Sequence, residues 1–214
     1  NVSYGRPANA PDTWGYLVAP TPGAANAGAF GGMVADTKFS HDRGFYTEPF
    51  AVTITSKTPD ATIFYTVDGS SPLDVDRGFP TGRPYTGPIP ISTTTCLRAV
   101  AYRQGWLSSD VDTQTYVFLD DVITQATHPA TDAQITPPGY PSSWGGVQGD
   151  YQMDPDVVGQ NGADIFGGLY AETIREDLKA VPIVSLVMDI DDWFGNRGIY
   201  INKSQDGTER VASI

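Results

Sequence analysis

The chain has 214 residues, with 25 Asp and Glu against 13 Lys and Arg, a net charge of −12 and a pI near 4.3. That balance argues against nucleic acid as a partner, because phosphate binding needs clustered Lys and Arg; it favours solubility and leaves room for bound cations. With 40% hydrophobic and 18% charged residues, 23 Gly and 17 Pro, the composition is that of a turn-rich globular chain with core enough for one or two domains, not of a disordered one. No apolar run reaches the roughly eighteen residues a transmembrane helix needs. The single cysteine, Cys96, has no internal partner for a disulfide and reads as a small, buried strand residue. Neither an initiator Met nor a signal peptide opens the chain, which leads us to expect a piece of a longer protein.

In chain order, Trp14-Gly15-Tyr16-Leu17 is followed by Pro20-Thr21-Pro22-Gly23-Ala24-Ala25-Asn26. These residues resemble the last strand and exit of a lamin-tail-type domain, a β-sandwich found on many bacterial surface proteins. The small, uncharged run from Gly23 to Gly32 also reads as a flexible linker. Residues 1–32 are expected to be extended, with Trp14 and Tyr16 packed on another part of the chain, the sandwich being one candidate surface.

From Phe39 to Phe50 we expect a first strand and its turn, broken by Gly44, with Pro49 starting the next element. Phe50, Val52 and Ile54 then alternate with Ala51, Thr53 and Thr55, and Ala61, Ile63, Tyr65 and Val67 alternate with Thr62, Phe64 and Thr66. A period of two predicts half-buried strands, and Lys57-Thr58-Pro59-Asp60 between them reads as a hairpin turn joining an antiparallel pair. The second strand stops at Asp68-Gly69, where glycine can take a positive φ. Leu73 to Pro84 is a polar insertion of the kind that carries function. Thr93 to Arg103 predicts a third strand with Leu97, Ala99 and Ala101 on one face and Arg98, Val100 and Tyr102 on the other. Trp106 follows in a turn, and Thr115 to Leu119 closes the set. Ile54, Ile63, Tyr65, Leu97, Ala99 and Ala101 are the expected inward residues.

Three stretches, Pro59 through Pro72 with its Tyr65-Thr66-Val67-Asp68-Gly69 core, Tyr85-Thr86-Gly87-Pro88-Ile89, and Leu97-Arg98-Ala99-Val100-Ala101-Tyr102, resemble successive strands of the chitobiase/β-hexosaminidase carboxy-terminal type domain. The resemblance covers about Lys38 to Phe118 and implies an immunoglobulin-like or fibronectin-III-like sandwich of the kind appended to secreted and surface proteins. The fold class expected is therefore mainly β, with a partial α+β segment at the carboxy-terminal end, and domains at 1–32, 33–118 and 119–214.

After the sandwich the pattern changes. Leu119, Val122, Ile123 and Ala126 share a helical face. His128 to Gly149 reads as a loop from its Pro-Pro, Pro-Ser-Ser and Gly-Gly signals. Ala171 to Ala180 predicts an amphipathic helix with Ile174 and Leu178 four apart, ended by Pro182, and Ile183 to Met188 predicts a strand covered on both faces. Ile174, Leu178, Ile183, Val184, Leu186 and Val187 are expected to pack helix on strand. Asp150-Tyr151-Gln152-Met153-Asp154-Pro155-Asp156-Val157-Val158, Leu178 through Asp189, and Phe194-Gly195 through Gly198-Ile199-Tyr200 resemble the opening of a CotH-type domain, the spore-coat family related to protein kinases. The resemblance implies that residues 119–214 are only the front of that domain. Lys203 and Gln205-Asp206-Gly207 would border its nucleotide pocket.

Several residues could carry chemistry. Asp189, Asp191 and Asp192 form a D-x-D-D cluster able to hold a divalent cation, or Asp191 or Asp192 caps the turn at Trp193-Phe194. Asp68, Asp74 and Asp76 offer oxygen-only ligands of the kind Ca²⁺ takes, without the spacing of an EF-hand, or serve as solvated loop charges. Asp154 and Asp156 about Pro155 read as a helix start. His41 and His128 lie in dissimilar loops, and no nucleophile motif accompanies them. Trp106, Tyr85 and Trp144 lie in turns, where aromatic rings form apolar platforms for sugars or pack over a seam.

The sequence is thus expected to be a non-catalytic structural or adhesion module of a bacterial extracellular or cell-surface protein. Its expected partners are other domains of the same protein and glycans or surface proteins, with Ca²⁺ as the one cofactor its carboxylates suit. A carbohydrate-binding accessory module and a fragment of a CotH-type phosphotransferase are the alternatives.

Overall fold

A computed structural model describes residues 2–19, 21–26, 28–74, 77–125, 143–144, 147–159, 165–196, 198–202, 204, 207, 209–210 and 212–214. His128, Asp76, Ala126, Lys203, Gln205, Asp206 and most of the expected loop from His128 to Gly149 lie outside the described residues.

Near the amino-terminal end, β1 (Ser3–Gly5) and β2 (Gly15–Leu17) pair antiparallel with Tyr4 opposite Tyr16. Trp14 stacks on Tyr4 with ring centroids 5.5 Å apart, and the Arg6 guanidinium lies 5.1 Å from its ring. Trp14 thus finds its packing surface within its own hairpin, because the strand pairing delivers Tyr4 to it locally. Tyr16 does reach onward, exchanging backbone hydrogen bonds with Phe30.

The sandwich is built from β3 (Thr37–Phe39), β4 (Gly44–Phe45), β5 (Phe50–Val52), β6 (Ile54–Ser56), β7 (Thr62–Thr66), β8 (Leu73–Asp74), β9 (Phe79–Pro80), β10 (Arg83–Pro84), β11 (Ile89–Ile91), β12 (Thr95–Tyr102) and β13 (Asp112–Val117). One layer is a five-stranded sheet in the order β10-β7-β12-β13-β4, antiparallel except for the β13–β4 pair. In the other layer, the 50–56 run pairs with β11 through β5 and with β3 through β6. Val52, Ile54, Ile89 and Ile91 from this layer meet Ile63, Leu97, Ala99, Ala101 and Tyr116 from the first in one buried core. The architecture is mainly β and consistent with an immunoglobulin-like sandwich.

All the residues expected to face inward do so, Tyr65 being half-buried against the core and the others buried. The expected hairpin does not form. The 50–56 run and β7 sit in different layers, and the turn between them carries the chain across the sandwich. Asp60 there takes φ 60°, a left-handed conformation that a short polar side chain tolerates. Both edges of β7 are occupied by β12 and β10, so no edge is left for its sequence neighbour. Gly44 opens β4 at the sheet's edge where a break was expected. The polar insertion contributes the small β8–β9 hairpin and the edge strand β10.

The central strand β12 is covered on both faces, with Val100 fully buried and Arg98 7% exposed on the side opposite Leu97, Ala99 and Ala101. Part of the cover, over Arg98 and β13, comes from the carboxy-terminal part of the chain. Ser71 donates its backbone N–H to Asp189 Oδ1 at 2.6 Å, Thr115 Oγ1 lies 2.9 Å from Ser185 Oγ, and Thr113 Oγ1 donates to Ser213 Oγ at 2.9 Å. Val187 and Ser213 exchange backbone hydrogen bonds, forming an isolated bridge.

The remaining described elements are α1 (Leu119–Ile123), β14 (Ser143–Trp144), β15 (Val147–Gln148), α2 (Pro155–Val158), α3 (Ile174–Ala180) and α4 (Ile190–Phe194). Asp154 caps α2 by accepting from the Asp156 N–H at 2.9 Å, with Pro155 in the first turn, as the sequence predicts. Helix α3 stops at Ala180, and Val181 is extended ahead of Pro182. The doubly covered strand expected at Ile183 to Met188 is not present: Ile183, Val184 and Leu186 are 52%, 68% and 49% exposed. No residue of α3 is buried, so Ile174 and Leu178 do not form the expected helix-on-strand core with Ile183, Val184, Leu186 and Val187. The run lies on the sandwich through one side only: Ser185, Val187 and Asp189 turn toward the sheet, and the alternate residues are left outward.

Candidate functional site

The three aromatic candidates have different fates. Trp106 packs partly buried against the core, with the Arg103 guanidinium 4.3 Å from its ring centroid. Gly32 approaches its other contacts so closely that a Cβ there would lie 2.6 Å from the indole, so the ring seals the seam where Leu107 bonds to Gly32 and Val34 to Leu107. Tyr85 packs against the core and edge-to-face on Tyr65, and its hydroxyl accepts the Ile54 N–H at 3.2 Å, bridging the two layers. Trp144 lies in β14, opposite Val147. Trp106 and Tyr85 are thus engaged in packing.

Among the acidic candidates, Asp68 accepts from the Ser70 N–H at 3.1 Å and from its hydroxyl at 2.6 Å, closing the turn at Gly69, whose φ is 80°. Asp74 accepts from the Arg77 N–H at 3.1 Å, with its carboxylate 3.7 Å from the same side chain. Asp189 is at the N-cap position of α4, ahead of Asp191 and Asp192 in its first turn, whereas the sequence assigned capping to one of the latter two. Asp189 lies 3.8 Å from Arg98 Nη1, and Asp192 is 3.3 Å from Arg210 Nε. These three carboxylates line an open groove of roughly 1370 Å³ along with Ser71, Arg98 and Arg210. Arg98 donates to the Gly69 carbonyl at 3.0 Å, and its Nε is buried without a hydrogen-bond partner among the described residues. Guanidinium groups interleave with the carboxylates, so the groove reads as an ion-paired seam. Among the described residues, no group of three or more His, Cys, Asp or Glu side chains is disposed to hold a metal. Burial pushes the Cys96 thiol up, against the smaller opposing pulls of the Thr115 hydroxyl and Arg98, and the Asp68 charge adds least.

A further concavity was not read from the sequence. His41 and Tyr46, from the run between β3 and β5, and Phe50, which opens β5, form an aromatic floor with centroid separations of 4.5 Å for His41–Phe50 and 4.2 Å for Tyr46–Phe50. Phe118 and Leu119, at the junction of β13 and α1, back this floor, and Glu48, Asp120, Arg175 and Lys179 stand around its mouth. The cavity is about 420 Å³. Its floor is fixed from beneath. Tyr46 donates its hydroxyl to the Asp42 carbonyl at 2.7 Å, Tyr116 donates to the His41 carbonyl at 3.0 Å, and Tyr116 meets both Tyr46 and Phe50 edge-to-face. Burial, reinforced by Asp42, pushes both phenols above the ordinary tyrosine range, so they remain neutral donors. Across the mouth, Arg175 Nε bonds Asp120 Oδ1 at 2.6 Å and ties α3 to α1. The signal available in the sequence was the density of His41, Phe45, Tyr46 and Phe50 within ten residues. The wall from residues 118–120 and 175–179 had none.

Residues 41–113 match the family model described as chitobiase/beta-hexosaminidase C-terminal domain, a stretch of roughly a third of the chain that runs from His41 into β13. Neither the curated proteins nor the solved structures give a match to the chain. Among the described residues, no helix is long and apolar enough to cross a membrane.

Proposed function

We propose that the chain is a non-catalytic structural module of a bacterial extracellular or cell-surface protein, in which the sandwich is a hub that holds the flanking segments in place. The observation that carries this reading is the set of bonds on two sides of the matched region. On one side, Gly31 donates to the Gly105 carbonyl and Val34 to the Leu107 carbonyl, each at 2.9 Å. On the other, Asp189, Ser185 and Ser213 bond to Ser71, Thr115 and Thr113. The matched family is one of non-catalytic accessory modules, which supports the same reading. The resemblances of residues 1–32 to the end of a lamin-tail-type domain and of 119–214 to the front of a CotH-type domain belong to this proposal, and make neighbouring domains of the same protein its partners.

The hub is tested by limited proteolysis of Asp189→Ala. Residues 181–214 are expected to become sensitive while the sandwich survives; unchanged cleavage would show that the bond to Ser71 holds nothing. The non-catalytic half is tested with labelled ATP, Mg²⁺ or Mn²⁺ and acceptor proteins, since phosphoryl transfer needs a phosphate cradle together with metal-holding carboxylates. Turnover that disappears in Asp191→Asn would overturn it. A second reading, a carbohydrate-binding accessory module, is favoured by the aromatic floor at His41, Tyr46 and Phe50.

A further inference from the structure

Resting on that second reading, we propose that the cavity floored by His41, Tyr46 and Phe50 is a subsite for one ring of a neutral saccharide. Two features of the cavity select this ligand class. The floor is a cluster of aromatic rings, an apolar surface of the kind on which the C–H groups of a sugar ring pack, and Phe45 extends it as a further partly exposed aromatic. A volume of about 420 Å³ lies in the range of ligand pockets, typically ~300–1,000 Å³.

The rim decides against other occupants. Glu48 and Asp120 supply acceptors and Arg175 supplies donors, while Lys179 is held by Glu176 at 2.8 Å, so the rim carries both signs. Each sugar hydroxyl both donates and accepts, and so finds a partner on a rim of mixed sign. An anionic polysaccharide would meet Glu48 and Asp120 and a chain of net charge −12, and a cationic one would meet Arg175 and Lys179. An apolar chain or side chain would fill the floor but take water from Glu48 and the Arg175–Asp120 pair without replacing the hydrogen bonds lost. Arg175 is well placed for this task. Its Nε is held by Asp120, which fixes the plane of the guanidinium and leaves its outer N–H groups without a protein partner among the described residues. His41 Nδ1 faces Ser40 Oγ at 3.0 Å, and this contact orients the ring that lies against Phe50.

The test uses the full chain with cellotetraose and chitotetraose as neutral probes and tetragalacturonate as the anionic one, followed by calorimetry and by NMR of the aromatic ring protons. A neutral tetraose is expected to bind in the ~0.1–1 mM range and to shift the His41, Tyr46 and Phe50 resonances. Arg175→Ala and Glu48→Gln, both at exposed positions, are expected to weaken binding about tenfold each without lowering the melting temperature, the loss of a charge-assisted hydrogen bond. Binding by either variant as tight as by the parent chain would overturn the proposal. So would tighter binding of tetragalacturonate. Neutral binding that shifts Trp106 or Tyr85 in place of the floor residues would remove this subsite and keep the carbohydrate reading. No shift with any probe at ~10 mM would remove both, leaving the structural module.

Discussion

Leu97→Ala measures whether the two layers close over a single core. Leu97 is fully buried in the middle of β12, which is hydrogen-bonded along one edge to β7 and along the other to β13. Removing three carbon atoms costs about 2.4 kcal/mol at ~0.8 kcal/mol per methylene. Because both neighbouring strands are fixed by their ladders, the site collapses poorly. A residual cavity of ~50 Å³ at ~24 cal/mol per Å³ adds about 1.2 kcal/mol, for a total near 3.5 kcal/mol. Urea unfolding followed by tyrosine and tryptophan fluorescence should show the midpoint falling at unchanged slope, the mark of lost stability with the same surface exposed. Leu97→Met keeps the volume and should cost less than about 1.5 kcal/mol. Val67→Ala, where the side chain is already partly exposed, should cost less than about 1 kcal/mol. A Leu97→Ala cost below about 1 kcal/mol, or one equal to that of Val67→Ala, would refute the packing of β12 between two layers.

Gly32→Ala should destabilise by about 1–3 kcal/mol and shift the Trp106 emission, because the new methyl enters the indole's space; a variant with unchanged melting and spectrum would dissolve the seam. Cys96 has its thiol pushed up by burial, so the folded state keeps its proton where the unfolded chain gives it up. Its contribution is therefore complete below the ordinary thiol pKa of about 8.5 and is lost as pH rises above it. Stability should fall less steeply between about pH 8.5 and 10 in Cys96→Ala than in the parent chain, and parallel curves would show that the thiol is not buried. Millimolar Ca²⁺ should leave the melting temperature unchanged, since Asp68 and Asp74 already accept hydrogen bonds from Ser70 and Arg77 in their own turns; a rise would restore the insertion as a cation site.

What the sequence determined by itself lies within short range. Alternation placed Ile54, Ile63, Leu97, Ala99 and Ala101 in the core, since a strand's side chains take sides with a period of two whatever pairs with its edges. Asp154 with Pro155 began α2, and Pro182 prevented α3 from continuing, because capping and the restriction before proline act within a few residues. Pairing across the sandwich was not legible in this way. Hydrogen-bonding edges are identical along every strand, so nothing local says that the 50–56 run takes β3 and β11 and not its neighbour β7. The apolar run from Ile183 reads as doubly covered because composition records hydrophobicity and not the number of faces available. The tertiary structure supplied one face, the outer side of β12 and β13, and that choice left Val184 and Leu186 exposed. The aromatic cavity belongs to the same class. His41, Tyr46 and Phe50 become a floor only when Tyr116 braces them from beneath and α3 brings Arg175 to Asp120, contacts between residues more than fifty positions apart.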